Sequence, residues 1–133
     1  MQVVQMIKSH PDVQGNITNE LAQCIEECFS CAQICISCAD ACLAEDVTPE
    51  LKQCIRIDQD CADICLATGA VATRRTGSDK SILGQMLKVC EAACRACAEE
   101  CEKHADKHEH CRICADACRS CEESCQKAVR AMG

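Results

Sequence analysis

The chain has 133 residues, 18 cysteines, one aromatic residue (Phe29) and a formal net charge of −7. This length fits one domain over residues 1–133 rather than two domains, and the cysteine content is far above that of an ordinary protein. The acidic charge argues against nucleic-acid binding, which needs a basic face, and the near absence of aromatic side chains leaves an interior that something else must fill.

The N-terminal segment has none of the features of an export signal. Residues 1–11 contain no basic region followed by a long apolar run and a small-residue cleavage site. No other stretch approaches the ~18 apolar residues of a membrane span. We therefore expect a cytosolic protein without membrane contact, in a compartment that keeps thiols reduced. A disulfide scaffold would be unusual there, so metal–thiolate chemistry is the favoured interpretation.

The chain begins with one short and one long predicted helix. Residues 1–10 favour a short extra helix, which Pro11 stops. Asn16 or Thr18 is then placed to cap a long helix that runs to about Ala44.

Three further long helices are predicted. Thr48 as N-cap and Pro49 at the first helical position begin the second long helix. Ser78 as N-cap, with Asp79 in the first turn, begins the third, and the fourth starts near Glu109. These helices are predicted to end near Thr73, His104 and Ala131.

Cysteines follow one regular spacing in the long helices. In the first, the steps between successive cysteines are four, three, four, three and four, which is the seam of a helix whose inward positions recur every 3.5 residues. Asp58 takes the place of a seam cysteine in the second helix. The seam cysteines are Cys24, Cys28, Cys31, Cys35, Cys38 and Cys42; Cys54, Cys61 and Cys65; Cys90, Cys94, Cys97 and Cys101; and Cys111, Cys114, Cys118, Cys121 and Cys125.

These stripes predict an all-α fold, an antiparallel up-down-up-down four-helix bundle with a cysteine-lined core over residues 17–131. At one end the seam continues into apolar residues, so that end is expected to be sealed. At the other end the cysteines reach the helix tips, and a loop with His104, His108 and His110 closes them. The apolar residues of the sealed end are Ile17, Leu21, Ala72, Leu83, Leu87, Ala128 and Met132.

The outer surface of the first long helix carries a second pattern. Phe29, Ile36 and Leu43 recur every seven residues and face away from the cysteine seam. An outward apolar stripe of this kind is typical of a protein contact. It predicts a homo-oligomer.

The thiols suit Cu(I) better than other metal ions. Cysteines three or four residues apart on a helix can hold one ion together. Cu(I) accepts two or three thiolates and replaces one proton with one positive charge, so about one copper per sulfur leaves the column near neutral. Several four-thiolate zinc sites would repel one another in the core, and unbroken helices do not wrap an iron–sulfur cluster. An iron–sulfur redox carrier, a zinc buffer and a disulfide-stapled bundle stay open as alternatives.

Four other residues are candidate ligands at the histidine end. His104, His108 and His110 are either ligands, residues that line the entrance, or solvated side chains of a surface loop. Asp58 is either a ligand near the entrance or a buried polar residue facing helix ends. No thiol is set apart as an activated nucleophile in a pocket, so we expect a protein that is not an enzyme.

The four cysteine-lined helices, the loop with His104, His108 and His110, and the missing export signal together resemble the cytosolic branch of the bacterial copper storage proteins. The resemblance covers residues 17–131. It implies a bundle filled with several Cu(I) ions through its thiolates, copper that enters at the histidine end, and a tetramer. We therefore expect reversible storage of Cu(I), as a reserve or a detoxifying sink, with copper exchanged with donors and acceptors.

Overall fold

The computed structural model describes residues 2–133, and its regular secondary structure is helical. The predicted short helix and four long helices are present; Met1, at the start of the predicted short helix, lies outside the described residues. Among residues 2–133, no helix combines the length and the apolar character needed to cross a membrane. The elements are α1 (Gln2–Lys8), α2 (Asn19–Leu43), a 3₁₀ turn (Thr48–Leu51), α3 (Lys52–Thr73), α4 (Lys80–Glu102) and α5 (Glu109–Ala131).

The four long helices form a ring in which neighbours run antiparallel. α2 packs against α3 and α5, and α4 packs against the same two helices. Between α2 and α5, Cys24 contacts Cys125 near one end. Further along, Cys31 contacts Cys118, so residue numbers rise on one helix as they fall on the other. The same register joins α3 to α4, whereas the diagonal pair α2 and α4 is parallel. This is the predicted up-down-up-down bundle.

Two helix starts are capped by side chains. The Thr18 hydroxyl accepts a hydrogen bond from the Leu21 amide at 3.1 Å, which selects Thr18 among the predicted caps of α2. At α4 the prediction was wrong by one residue. Asp79 rather than Ser78 is the N-cap, and its carboxylate accepts from the Ile82 amide at 2.9 Å. A charged acceptor makes the stronger hydrogen bond to a helix N-terminus.

Thr48 does not cap α3 as predicted. It lies inside the 3₁₀ turn, with Val47 preceding the turn and Pro49 in its first positions. Its hydroxyl donates to the carbonyl oxygen of Glu45 at 2.6 Å. Thr48 therefore stabilises the loop after α2 rather than the start of the next helix.

The two ends of the bundle differ as expected. At the sealed end the seam residues Leu21, Ala72, Leu83, Leu87 and Ala128 are buried, and Ile17 and Met132 are partly buried against them. The N-terminal segment also covers this end, because Ile7 and Val13 are buried and the His10 ring hydrogen-bonds the Thr76 hydroxyl at 2.9 Å. The sequence pattern did not predict that contribution from the N-terminal segment.

The outer stripe of α2 is exposed in the chain. Ile36 and Leu43 keep 54% and 59% of their surface, and Phe29 keeps 39%. The Phe29 ring lies over α3, where a Cβ added at Gly69 would come within 2.9 Å of it. The apolar surface therefore continues from α2 onto α3.

Candidate metal centre

All eighteen cysteines are buried, and each has a free thiol. They lie where the four long helices face the bundle axis. Sulfur atoms of neighbouring helices approach closely, with 3.6 Å between Cys54 and Cys101 and 3.9 Å between Cys61 and Cys94. The bundle therefore has a column of thiols where an ordinary helical bundle has leucine side chains.

Groups of four sulfur atoms lie close enough to hold a metal ion, with every atom within 4.8 Å of the others. The groups overlap, because Cys31, Cys35, Cys118 and Cys121 each belong to two of them. Shared ligands join the first four groups given below into one continuous run, whereas the group nearest the histidine end shares no cysteine with them. Five of the groups are Cys28/Cys90/Cys121/Cys125, Cys31/Cys65/Cys94/Cys121, Cys31/Cys35/Cys61/Cys118, Cys35/Cys97/Cys114/Cys118 and Cys38/Cys42/Cys54/Cys111.

The spacing of the sulfur atoms matches that around a bound ion. With a metal–sulfur bond of ~2.3 Å, three sulfur atoms around one ion lie ~4.0 Å apart and four lie ~3.8 Å apart. The shortest sulfur–sulfur contacts, 3.6–3.9 Å, fit both arrangements, and the other pairs within each group lie within 4.8 Å. Geometry alone therefore does not select the ion, and the sharing of ligands and the charge balance become decisive.

Burial favours the protonated form of several thiols in the metal-free column. It raises the pKa of the Cys42 thiol and raises the pKa of Cys111 to about 12. Deeper in the column, hydrogen bonding with neighbouring thiols and burial raise the pKa of Cys94 and Cys97. A metal ion that binds these thiols must displace their protons.

Asp58 lies inside the column at the seam position predicted for it, and it is fully buried. Its Oδ1 atom accepts hydrogen bonds from the thiols of Cys97 at 3.1 Å, Cys114 at 3.3 Å and Cys101 at 3.6 Å. Its Oδ2 atom has no hydrogen-bond partner among the described residues. Burial raises the pKa of Asp58 to about 7.

His110 is in contact with the outermost thiols. Its Nδ1 atom lies 3.6 Å from the sulfur atoms of Cys38 and Cys111 and 4.0 Å from that of Cys42. With metal–nitrogen and metal–sulfur bonds of ~2.0 and ~2.3 Å, a trigonal ion would hold nitrogen and sulfur ~3.7 Å apart. The ring is therefore placed to share an ion with these thiols.

All three histidines of the loop contact carboxylates. His108 Nδ1 and His110 Nε2 both lie 2.8 Å from Glu45 Oε2. His104 Nε2 lies 3.0 Å from Glu100 Oε2. The hydrogen bond with His110 lowers the pKa of Glu45. The structure thus brings His108 and His110 together on one acidic residue and places His104 at the end of α4.

Two residues next to the column were missed by the sequence prediction, Glu45 and Thr68. Each lies three residues after the last cysteine of its helix, Cys42 in α2 and Cys65 in α3, so one further seam step would have found both. Thr68 is fully buried, and its hydroxyl has no hydrogen-bond partner within the part of the chain that the structure describes.

Comparison with solved structures gives close matches. The copper storage protein Ccsp from Streptomyces lividans, loaded with 10 copper equivalents, is 48% identical over 96% of this chain and 98% of its own, with a TM-score of 0.92. A five-copper structure of the cytosolic copper storage protein from Streptomyces lividans is 53% identical over 86% of this chain and 95% of its own, with a TM-score of 0.84. The Cu(I)-bound copper storage protein BsCsp3 is 36% identical over 84% of this chain and 99% of its own, with a TM-score of 0.72.

The comparison with family models agrees with these structures. The model described as "Csp: Copper storage protein" matches residues 17–130, which hold all four cysteine-lined helices. A search of the curated proteins found no match. The extent of the family match and the identities to the solved structures show that this chain belongs to the copper storage protein family.

Proposed function

We propose that this protein is a high-capacity cytosolic store for Cu(I), which it binds through cysteine thiolates inside the helical bundle. The observation that carries the proposal is the column of eighteen buried thiols, in which four of the five groups of four sulfur atoms given above share members. The copper carried by the related Streptomyces lividans proteins supports it. A column without one distinctive activated thiol suits storage rather than catalysis.

Charge favours Cu(I) over zinc in this interior. Each Cu(I) ion that replaces one thiol proton leaves the charge of the core unchanged. A zinc site whose four thiolates are not shared with another ion carries a charge of −2. Neighbouring sites of this kind would repel one another strongly at low dielectric. Shared sulfur atoms also suit ions that need two or three ligands rather than four of their own.

The eighteen cysteines are the proposed ligands, and four further residues act at the entrance. His110 would share an ion with the outermost thiols, and His108 and His104 would line the path to them. Asp58 would accept thiol hydrogen bonds just inside the entrance and favour the protonated form of the nearby thiols until a metal ion displaces their protons. Copper would then pass inward by exchanging one thiolate for another, and loading would release protons and weaken in acid.

We also propose that the chain forms a homo-oligomer, with a tetramer as the expected assembly, through the outer face of α2 and α3. Ile36 and Leu43 are exposed there. A groove between the two helices is lined by these apolar side chains together with Asp40, Asp60 and Asp63. Copper donors and acceptors would approach the histidine end of the bundle.

Anaerobic titration of the reduced, metal-free protein with Cu(I), followed by elemental analysis, tests the function. We expect a colourless protein that takes up many equivalents, towards one copper per thiol, and exchanges bound zinc for copper. Cys35→Ser should lower the equivalents bound, whereas Ser37→Ala, exposed on the same helix, should leave them unchanged. A brown protein with inorganic sulfide, or zinc that persists against Cu(I), would overturn the proposal.

A further inference from the structure

Glu45 lies in the loop after α2, and hydrogen bonds hold both its backbone amide and its backbone carbonyl group. Its amide donates to the carbonyl oxygen of Cys42, the last thiol residue of α2, at 3.2 Å. Its own carbonyl oxygen accepts from the Thr48 hydroxyl at 2.6 Å. The side chain therefore projects from a defined position at the entrance rather than from a free loop.

The carboxylate of Glu45 joins α2 to the histidine loop. Oε2 lies 2.8 Å from His108 Nδ1 and 2.8 Å from His110 Nε2, and the two rings stack with their centroids 5.5 Å apart. A carboxylate only accepts hydrogen bonds from a ring nitrogen that carries a proton. The hydrogen bond with His110 therefore places the proton of its neutral ring on Nε2, the nitrogen that faces Glu45.

The tautomer of His110 determines which of its nitrogen atoms can bind a metal ion beside the thiols. With the proton on Nε2, the Nδ1 atom has a free lone pair, and Nδ1 is the atom that lies 3.6–4.0 Å from the sulfur atoms of Cys38, Cys42 and Cys111. A partner that fixes the tautomer and orientation of a ligating histidine is a recurring feature of metal sites.

We infer that Glu45 is a positioning residue of the entrance, which holds His110 in the Nε2-protonated tautomer with Nδ1 directed at the three outermost thiols. The inference rests on the proposed storage of Cu(I) for its consequence, but the tautomer itself is a property of the metal-free protein. Glu45 does not contact the ion; it acts through His110. Its loss would leave the ring free to turn or to change tautomer, so an arriving Cu(I) ion would meet fewer directed ligands.

Glu45→Ala is the test variant, and Glu50→Gln, an exposed carboxylate of the following turn, is the control for the loss of charge at the same end. The tautomer of His110 is read from its ¹⁵N chemical shifts in the reduced, metal-free protein. The rate of the first Cu(I) transfer from a chelator, and the equivalents bound at saturation, are then measured. We expect Glu45→Ala to shift His110 away from the pure Nε2-protonated form and to slow the first transfer about 10–100-fold. Saturation should not change.

An unchanged tautomer, or a transfer rate equal to that of Glu50→Gln, would overturn the role of Glu45. Glu45→Gln, which keeps an acceptor oxygen but no charge, should fall between the wild type and Glu45→Ala. If the wild-type protein takes up no Cu(I), the proposed function fails, while the tautomer measurement still decides whether Glu45 orients His110.

Discussion

Asp58 should make the metal-free protein less stable as the pH rises. Burial raises its pKa from an ordinary 3.8 to about 7. Between these two values the folded chain holds a proton that the unfolded chain has lost, so the free energy of unfolding falls with increasing pH. A shift of about three pKa units, at about 1.4 kcal/mol per unit, corresponds to about 4 kcal/mol lost above pH 7. This is a large share of the 5–15 kcal/mol that is typical of a folded domain.

Asp58→Asn removes the ionisation and keeps a carbonyl oxygen for the thiols of Cys97, Cys101 and Cys114. We expect the variant to match the wild type near pH 4 and to be more stable by about 4 kcal/mol near pH 8. The assay is denaturant unfolding of the reduced, metal-free protein across this pH range. Asp63→Asn, on the exposed face of the same helix, is the matched control.

The informative quantity is the difference in unfolding free energy between Asp58→Asn and the wild type at each pH. Thiols of the unfolded chain also titrate near pH 8.5, but they are present in both proteins and cancel in the difference. A difference that stays flat from pH 4 to pH 8, or that matches Asp63→Asn, would refute the argument that Asp58 is buried without adequate compensation for its charge.

Three further outcomes are expected. Replacing His104, His108 and His110 together with alanine should slow Cu(I) uptake in stopped-flow experiments and leave the equivalents bound at saturation almost unchanged; a collapse of capacity would make them storage ligands instead. Ile36→Glu should reduce the assembly size measured by light scattering, because a charge would enter the apolar stripe, and an unchanged size would contradict that contact. Thr68→Val should raise the unfolding free energy of the metal-free protein by about 1–3 kcal/mol, because an unpaired buried hydroxyl is removed; a less stable variant would point to a partner for the hydroxyl.

The sequence predicted the bundle and its thiol column because one residue type occupies nearly every seam position. A step of three or four residues places cysteines on one side of a helix wherever the helix lies. Four such stripes can be buried together in only a few ways, and the short connections select the antiparallel one. The same spacing predicted that Asp58 takes the place of a seam cysteine, and its burial confirms that a carboxylate occupies that position.

Local choices between neighbouring residues could not be predicted in the same way. Ser78 and Asp79 are both good N-caps, and the difference between them depends on the backbone angle at which α4 leaves its loop. Thr48 resembles a cap but bonds backward to Glu45. The role of the N-terminal segment depends on packing between segments distant in sequence, since Ile7 of α1 and Val13 of the following loop are buried at the sealed end.

The seam stepping, continued by one step beyond the cysteines, separates the two ends of the column chemically. At the sealed end three of the four residues are apolar and the fourth is a hydroxyl: Leu21, Thr68, Leu87 and Ala128. At the other end the same steps reach Glu45, Leu51, His104 and Lys107. Glu45 and His104 can bind a metal ion, and His108 and His110 lie beside Lys107 in the sequence. A Cu(I) ion that moves by ligand exchange needs a new ligand before it leaves the old one, and aliphatic side chains provide none. On the proposed function, the sealed end would therefore block movement of copper by its chemistry as well as by its packing, and we expect copper to enter and leave at the histidine end.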